Sequence, residues 1–243
     1  MKRGYGEDLA FIHEAGFTAL ARAAAGLLVP RLRAAGFRDG LVVDVGCGGG
    51  ALAKSLVEAG YRVHGLDASA PMIRLARAHE PRATFEVASF RRASLPPCVA
   101  ITAVGEVLSY LIDPRVGGSA LGAFFARARA ALAPGGLLLF DVVEATRRPE
   151  NRDAFAEDER AGWAVGMHVR EAAGSGVVRR EITTFRRIGR TYRRSVEVHR
   201  QRRYPRAPVL RMLRRAGFAA RTLDGYGAVS FRAGQTGFFA RKR

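Results

Sequence analysis

Cysteine is almost missing from this 243-residue chain. Cys47 and Cys98 are the two present, too few for a disulfide framework and without the spacing of a metal cluster, so no metal is expected. That usage suits a reducing compartment. No apolar run approaches the roughly 18 residues of a membrane-spanning helix, which excludes an integral helical membrane protein. The opening stretch MKRGYGEDLAFIHEAGF mixes Glu7, Asp8 and Glu14 among its apolar residues and does not read as a secretory signal. The expectation is a cytoplasmic protein without a membrane partner. Acidic residues are also in deficit: 22 stand against 40 basic ones, for a net charge of +18. Lysine is rarest among the basic residues, because all but Lys2, Lys54 and Lys242 are arginine.

What is present is ordinary for a globular chain, with 48% apolar and 26% charged residues. The length suits one domain with an elaboration. Charge is unevenly placed. Residues 1–150 are close to balanced, whereas residues 151–243 hold 22 basic and 8 acidic side chains. A surplus of that size fits an anionic partner. An acidic small substrate, a nucleic acid and plain gene composition each account for it.

Periodicity divides the chain in two. Residues 8–35 read as helical, with Leu9, Phe11, Ile12, Phe17, Leu20, Leu27 and Leu28 near helical spacing. From 41 to 143, strands alternate with helices. The strand candidates are 41–46, 62–66, 83–87, 99–104 and 137–143, and the helices are 51–59, 70–78 and 120–132. Such alternation predicts an α/β fold, a doubly wound and mostly parallel sheet. A charged, turn-rich segment follows at 147–162. Runs near 163–170, 177–187 and 191–202 then alternate apolar and charged residues, as antiparallel strands with one wet face do. An amphipathic helix ending at Gly217 and strands at 220–223 and 237–240 complete the series. The plan is a single domain, 1–243, with an antiparallel β elaboration or lid over about 145–206.

The strongest motif is VVDVGCGGGALAKSL: a strand, then Asp44-x-Gly46-x-Gly48-x-Gly50, then a helix. Glycines there let the chain turn sharply and let a ligand approach closely. The following helix aims its free N–H groups and positive dipole end at the loop. Gly46-x-Gly48-x-x-Ala51 also satisfies the dinucleotide fingerprint. Asp67 ends the second strand, where a carboxylate would take ribose hydroxyls, without choosing between nucleotide cofactors.

Three further features favour one family. Asp44 stands two places before the first glycine, about forty residues precede the first strand, and ALAPGGLLLFD enters the fifth strand through Pro134-Gly135-Gly136. Over roughly residues 36–145 the chain resembles the class I S-adenosylmethionine-dependent methyltransferases of small-molecule type, with a Rossmann-like fold. The resemblance implies S-adenosyl-L-methionine as cofactor. It implies that Gly46, Cys47 and Gly48 lie along the methionine part and ribose, Asp44 near the ammonium, Asp67 on the ribose hydroxyls, and Ala68 and Met72 against the adenine. Ser89 and Phe90 occupy the third-strand end, where the family usually has an acidic residue. Gly105 and Glu106 follow the fourth strand, beside the place of the sulfonium. The (D/N)PP(Y/F) tetrad of many amino-directed methyltransferases is absent from the sequence, which lowers nucleobase-amine chemistry.

Methyl transfer from a sulfonium needs chiefly alignment of the nucleophile, and a base only where the acceptor is protonated. Glu197 and His199 are two apart and share a strand face, so they are the catalytic candidates, set against a solvated ion pair. Trp163, Tyr192 and Tyr226 could wall an acceptor pocket. Tyr5 and His13 belong to a segment that closes over the cofactor in relatives. The expected activity is methylation of a small-molecule acceptor. The alternative is an RNA methyltransferase or a non-catalytic nucleic-acid-binding module on the same fold, motivated by the late charge surplus.

Overall fold

The computed structural model describes residues 5–111, 120–146 and 149–243. Met1–Gly4 of the opening stretch and Arg147-Arg148 of the charged segment lie outside the described residues. Two helices come first, α1 (Glu7–Gly16) and α2 (Ala19–Ala34). The alternating region follows: β1 (Leu41–Val45), α3 (Ala51–Glu58), β2 (Arg62–Asp67), α4 (Ala70–His79), β3 (Thr84–Val87), β4 (Cys98–Ala103), α5 (Ala120–Ala131) and β5 (Leu132–Val143). Next come four antiparallel strands, β6 (Arg152–Asp158), β7 (Trp163–Glu171), β8 (Val177–Ile188) and β9 (Thr191–Arg202). The chain ends with α6 (Arg206–Arg215), β10 (Phe218–Leu223), the hairpin β11 (Gly225–Tyr226) and β12 (Val229–Ser230), and β13 (Gln235–Lys242).

Seven strands form the main sheet in the order β10-β13-β5-β4-β1-β2-β3. β1 through β5 run parallel, and β13 is antiparallel to both β5 and β10. The strand order reverses between β1 and β4, and ligands of open α/β sheets bind at the carboxyl ends of such a pair. Both faces are covered, as an alternation of period two requires. Val43, Val45, Ile101, Ala103, Leu138 and Phe140 face α5 and α6. Val42, Ala100, Leu137 and Leu139 face α2 and α3. Among the described residues, no helix is long and apolar enough to cross a membrane.

Three expectations need correction. The stretch 8–35 is not one helix, because Phe17 leaves helical geometry with φ −129° and ψ 30°. The break falls where the backbone meets the late sheet: a Cβ on Gly16 would lie 2.8 Å from the Trp163 ring. The charged segment at 147–162 contains β6, an edge strand whose outward side chains are exposed and so show little apolar alternation. The fifth strand begins at Leu132 rather than 137, and α5 ends at Ala131. Pro134-Gly135-Gly136 forms an irregularity within it, where the pairing skips from Leu132 opposite Cys98 to Leu137 opposite Ala100. Gly135 there has φ +76°.

The β6–β9 sheet turns one face inward. Val169, Arg180 and His199 are in register across β7, β8 and β9, as are Met167, Ile182 and Glu197. This face packs on α1 and roofs the carboxyl edge of the main sheet.

Candidate active site

The glycine loop after β1 is drawn toward β2. Gly46 and Cys47 both donate backbone N–H bonds to the Leu66 carbonyl, at 2.6 and 3.0 Å. Gly46, Gly48 and Gly50 all have positive φ, a region that costs other L-residues roughly 1–2 kcal/mol. A Cβ on Gly46 would collide with Val107 at 2.3 Å, whereas one on Gly48 would meet nothing within 4 Å among the described residues. Gly48 therefore borders open space. Asp67, at the end of β2, accepts from Gly48 N at 3.1 Å and from Ser69 N at 2.8 Å. Burial still raises its pKa to about 6.

Asp44 lies under the loop on β1. It accepts from Thr102 Oγ1 at 2.7 Å, and its other oxygen, Oδ2, is buried with no partner among the described residues. Burial raises its pKa to about 7. Cys47 is a buried free thiol pushed up by desolvation, inert beside the loop.

Beyond β4, Gly105 and Glu106 adopt φ +90° and +62°. Asp141 on β5 fixes this turn, accepting from Gly105 N at 2.9 Å and Glu106 N at 2.8 Å. Tyr226 Oη and Gln235 Nε2 add two more bonds to the same carboxylate, each 2.8 Å. Burial raises Asp141 to about 6 despite these donors.

Two clefts meet here. The first is a slot lined by Gly46, Gly48, Asp67, Ala68, Met72 and Phe90, among others. Of the residues expected at the adenine end, Phe90 lines it and Ser89 does not; the Ser89 hydroxyl accepts from Arg91 N instead. The second, about 550 Å³, opens between α1 and the inner face of β6–β9. Leu9, Phe17, Phe155, Val165, Met167 and Ile182 make it largely apolar. Tyr5, His13, Gly105 and Tyr110 line both clefts and so mark their junction.

Charge in the second cleft is concentrated on Glu106, Arg180 and Arg232. Glu106 belongs to this cleft and not to the slot. It is buried and paired with Arg180 at 2.8 Å and Arg232 at 2.5 Å. Burial pushes its pKa up, but the two guanidiniums outweigh that and hold it below the ordinary range. Arg232 also reaches Glu150 at 3.0 Å, which Arg152 shares. Arg180 leaves Nε and Nη2 buried without a hydrogen-bond partner among the described residues.

The structure brings Glu197 and His199 together, Oε2 to Nε2 at 3.1 Å, but as a largely enclosed pair, His199 buried and Glu197 half-buried, and not as a solvated one. Neither lines a cleft. His199 packs on the rings of Tyr5 and Tyr110 at 5.1 and 5.6 Å, and Glu197 Oε1 accepts from Gly6 N at 3.0 Å. Tyr5 and Tyr110 share a 3.2 Å hydroxyl contact, and burial raises both phenols. Trp163 is buried against Phe17 and Gly16, Tyr192 is exposed, and Tyr226 serves Asp141, so none of the three walls the acceptor cleft. Tyr110, Asp141 and Arg180 escaped sequence reasoning. For Asp141 a signal existed in the terminal FD of the fifth-strand block; for the other two nothing local marked them. Among the described residues no cluster could hold a metal.

A family model described as a methyltransferase domain matches residues 42–136. A ubiquinone biosynthesis O-methyltransferase of Serratia proteamaculans is 28% identical over 196 residues, 70% of this chain and 78% of that relative. A protein of the same name from Methylobacterium sp. (strain 4-46) is 34% identical over 128 residues, and the match spans about half of each, 50% of this chain and 48% of the other. Among solved structures, CalS10 of Micromonospora echinaspora, an amino pentose methyltransferase with bound S-adenosylmethionine, shares the fold. Its TM-score is 0.74 at 22% identity, covering 100% of both chains.

Proposed function

The chain belongs to the class I S-adenosylmethionine-dependent methyltransferases, and from that premise we propose that it methylates an oxygen of an anionic small molecule seated in the α1/β6–β9 cleft. Methyl transfer to a small-molecule acceptor is its activity, and S-adenosylmethionine is its cofactor. When bound, the cofactor supplies a methyl group already activated by the sulfonium.

The residues present fit it. Asp44 Oδ2 is a buried acceptor that an ammonium would satisfy. Gly48 and Gly105 face open space that a Cβ would fill. Asp67 keeps acceptor capacity for two ribose hydroxyls beyond its two backbone bonds. Met72, Ala68 and Phe90 would border the base. With the cofactor in the slot, the sulfonium would lie toward Gly105, where the two clefts join.

One observation carries the anionic acceptor: Arg180, only 8% exposed, has two buried donors without a partner among the described residues, beside an apolar cleft. Around it, Arg152 and Arg232 join Arg180 in ion pairs with Glu106 and Glu150, so among these five paired residues guanidiniums outnumber carboxylates. A carboxylate or phosphate oxygen satisfies a guanidinium fork better than any neutral group. Oxygen as the methylated atom is supported by the relatives named as O-methyltransferases.

We further propose that residues 1–243 act as one domain, with 145–206 as a lid, in a cytoplasmic setting that suits the free thiols of Cys47 and Cys98. Glu197 and His199 would act as positioning residues, holding the start of α1 and the Tyr5 ring.

Labelled methyl transfer to 3,4-dihydroxybenzoate and to neutral catechol tests the acceptor. The carboxylate is expected to be preferred, and Arg180→Met to abolish the preference. Equal rates on both acceptors in the wild type would refute it.

A further inference from the structure

We propose that His13 is the catalytic base, receiving the acceptor's proton as its oxygen is methylated. The inference rests on the methyltransferase reading and extends it by one residue. His13, on α1, is among the residues that line both clefts, so it stands where cofactor and acceptor must meet. Among the described residues His13 Nδ1 is fully enclosed and has no hydrogen-bond partner. Nε2 is therefore the nitrogen left to reach a ligand. The ring is held edge-on against Tyr5 at 5.4 Å and near Phe17 at 6.3 Å.

Burial keeps the imidazole neutral at physiological pH by lowering its pKa to about 4. A weak base is adequate here. A hydroxyl oxygen becomes strongly acidic as its bond to the methyl carbon forms, so its proton leaves late and downhill. His199 differs, since its Nε2 is committed to Glu197.

A lone pair of the acceptor oxygen forms the O–C bond, and the S–C bond breaks with its electrons passing to sulfur. The hydroxyl proton passes to His13 Nε2, and S-adenosylhomocysteine and the methyl ether leave.

His13→Gln is compared with the wild type on 3,4-dihydroxybenzoate and on 4-mercaptobenzoate, whose thiol is already ionised at mildly alkaline pH. On the hydroxyl acceptor kcat should fall by about 10², the low end for general-base catalysis, because the base is weak and the transfer late. On the thiolate, with no proton to remove, the loss should shrink to a few-fold. Equal losses on both would assign His13 a structural role and overturn the proposal, as would no loss on the hydroxyl. A second readout needs no turnover: ¹⁵N spectra of histidine-labelled protein bound to S-adenosylhomocysteine, with His13→Gln giving the assignment. An unprotonated Nε2 supports the proposal, and a protonated Nε2 overturns it. Should the wild type bind S-adenosylmethionine yet methylate neither probe, the acceptor reading fails while the tautomer still decides on His13.

Discussion

Ser69 Oγ donates a 2.6 Å hydrogen bond to the Tyr5 carbonyl while accepting one from Met72 N at 3.2 Å. One hydroxyl thus caps α4 and ties the start of α1 across the cofactor slot. Its removal in Ser69→Ala should cost about 1 kcal/mol as a lost N-cap, seen as a lower urea midpoint. It should also loosen Tyr5 and weaken S-adenosylmethionine binding in calorimetric titration. Lowered stability with unchanged affinity would show that the tether plays no part in binding.

Asp44 sets a pH dependence. Burial raises its pKa to about 7 in the free protein, and the Thr102 bond offsets only part of that. An ammonium beside Oδ2 favours the charged carboxylate, so binding below this pH must expel a proton. Affinity for S-adenosylmethionine should therefore rise as pH rises toward about 7, by at most about tenfold per pH unit. The stability effect has the opposite sign. A carboxyl raised in the native state contributes stability below its unfolded pKa of about 3.9 and loses it as pH climbs through the folded value. Asp44→Asn should flatten the affinity profile and, relative to wild type, gain stability from weakly acid to neutral pH. Parallel profiles for the two proteins would remove Asp44 from the ammonium site.

Gly48→Ala separates folding from binding. Its φ of +54° lies in the left-handed region, so alanine there should cost roughly 1–2 kcal/mol. Chain neighbours aside, no atom of the described residues lies within 4 Å of the new methyl group. The variant should fold, with a modestly lower Tm, and bind the cofactor far more weakly. Unchanged binding would mean that the open space beside Gly48 is not where the ligand lies.

How much of this was readable beforehand depended on the range of the interaction. The β1 loop, Asp67 and the parallel strands follow from local rules, since a glycine loop and period-two apolar runs act within a dozen residues. The acceptor cleft does not. Arg180 faces Glu106 because β8 is brought against the turn that follows β4, a pairing across 74 positions in sequence. The break at Phe17 depends on Trp163, and β6 gains its order from β7 rather than from its own composition. The late arginine surplus also changes meaning. Arg193 pairs with Asp8, Arg206 with Glu144, and Arg180 and Arg232 with Glu106, so part of it neutralises carboxylates from the balanced half of the chain.

Arg180 and Glu106 finally invite a double-mutant cycle. Breaking a buried ion pair by removing one partner costs about 3–5 kcal/mol, because the other charge is left uncompensated. The two single changes are unequal here. Arg180→Met leaves Glu106 paired with Arg232, so its cost should fall at the low end. Glu106→Gln strips a carboxylate from two guanidiniums and leaves Arg180 with hardly any countercharge in an apolar cleft, so it should cost more. With both changed, no unpaired charge remains on Arg180, and the double variant should be more stable in urea than Glu106→Gln alone. Strict additivity of the three values would show that the pair is not coupled. Glu106 would then be held by Asp141 and the turn rather than by the arginine it faces.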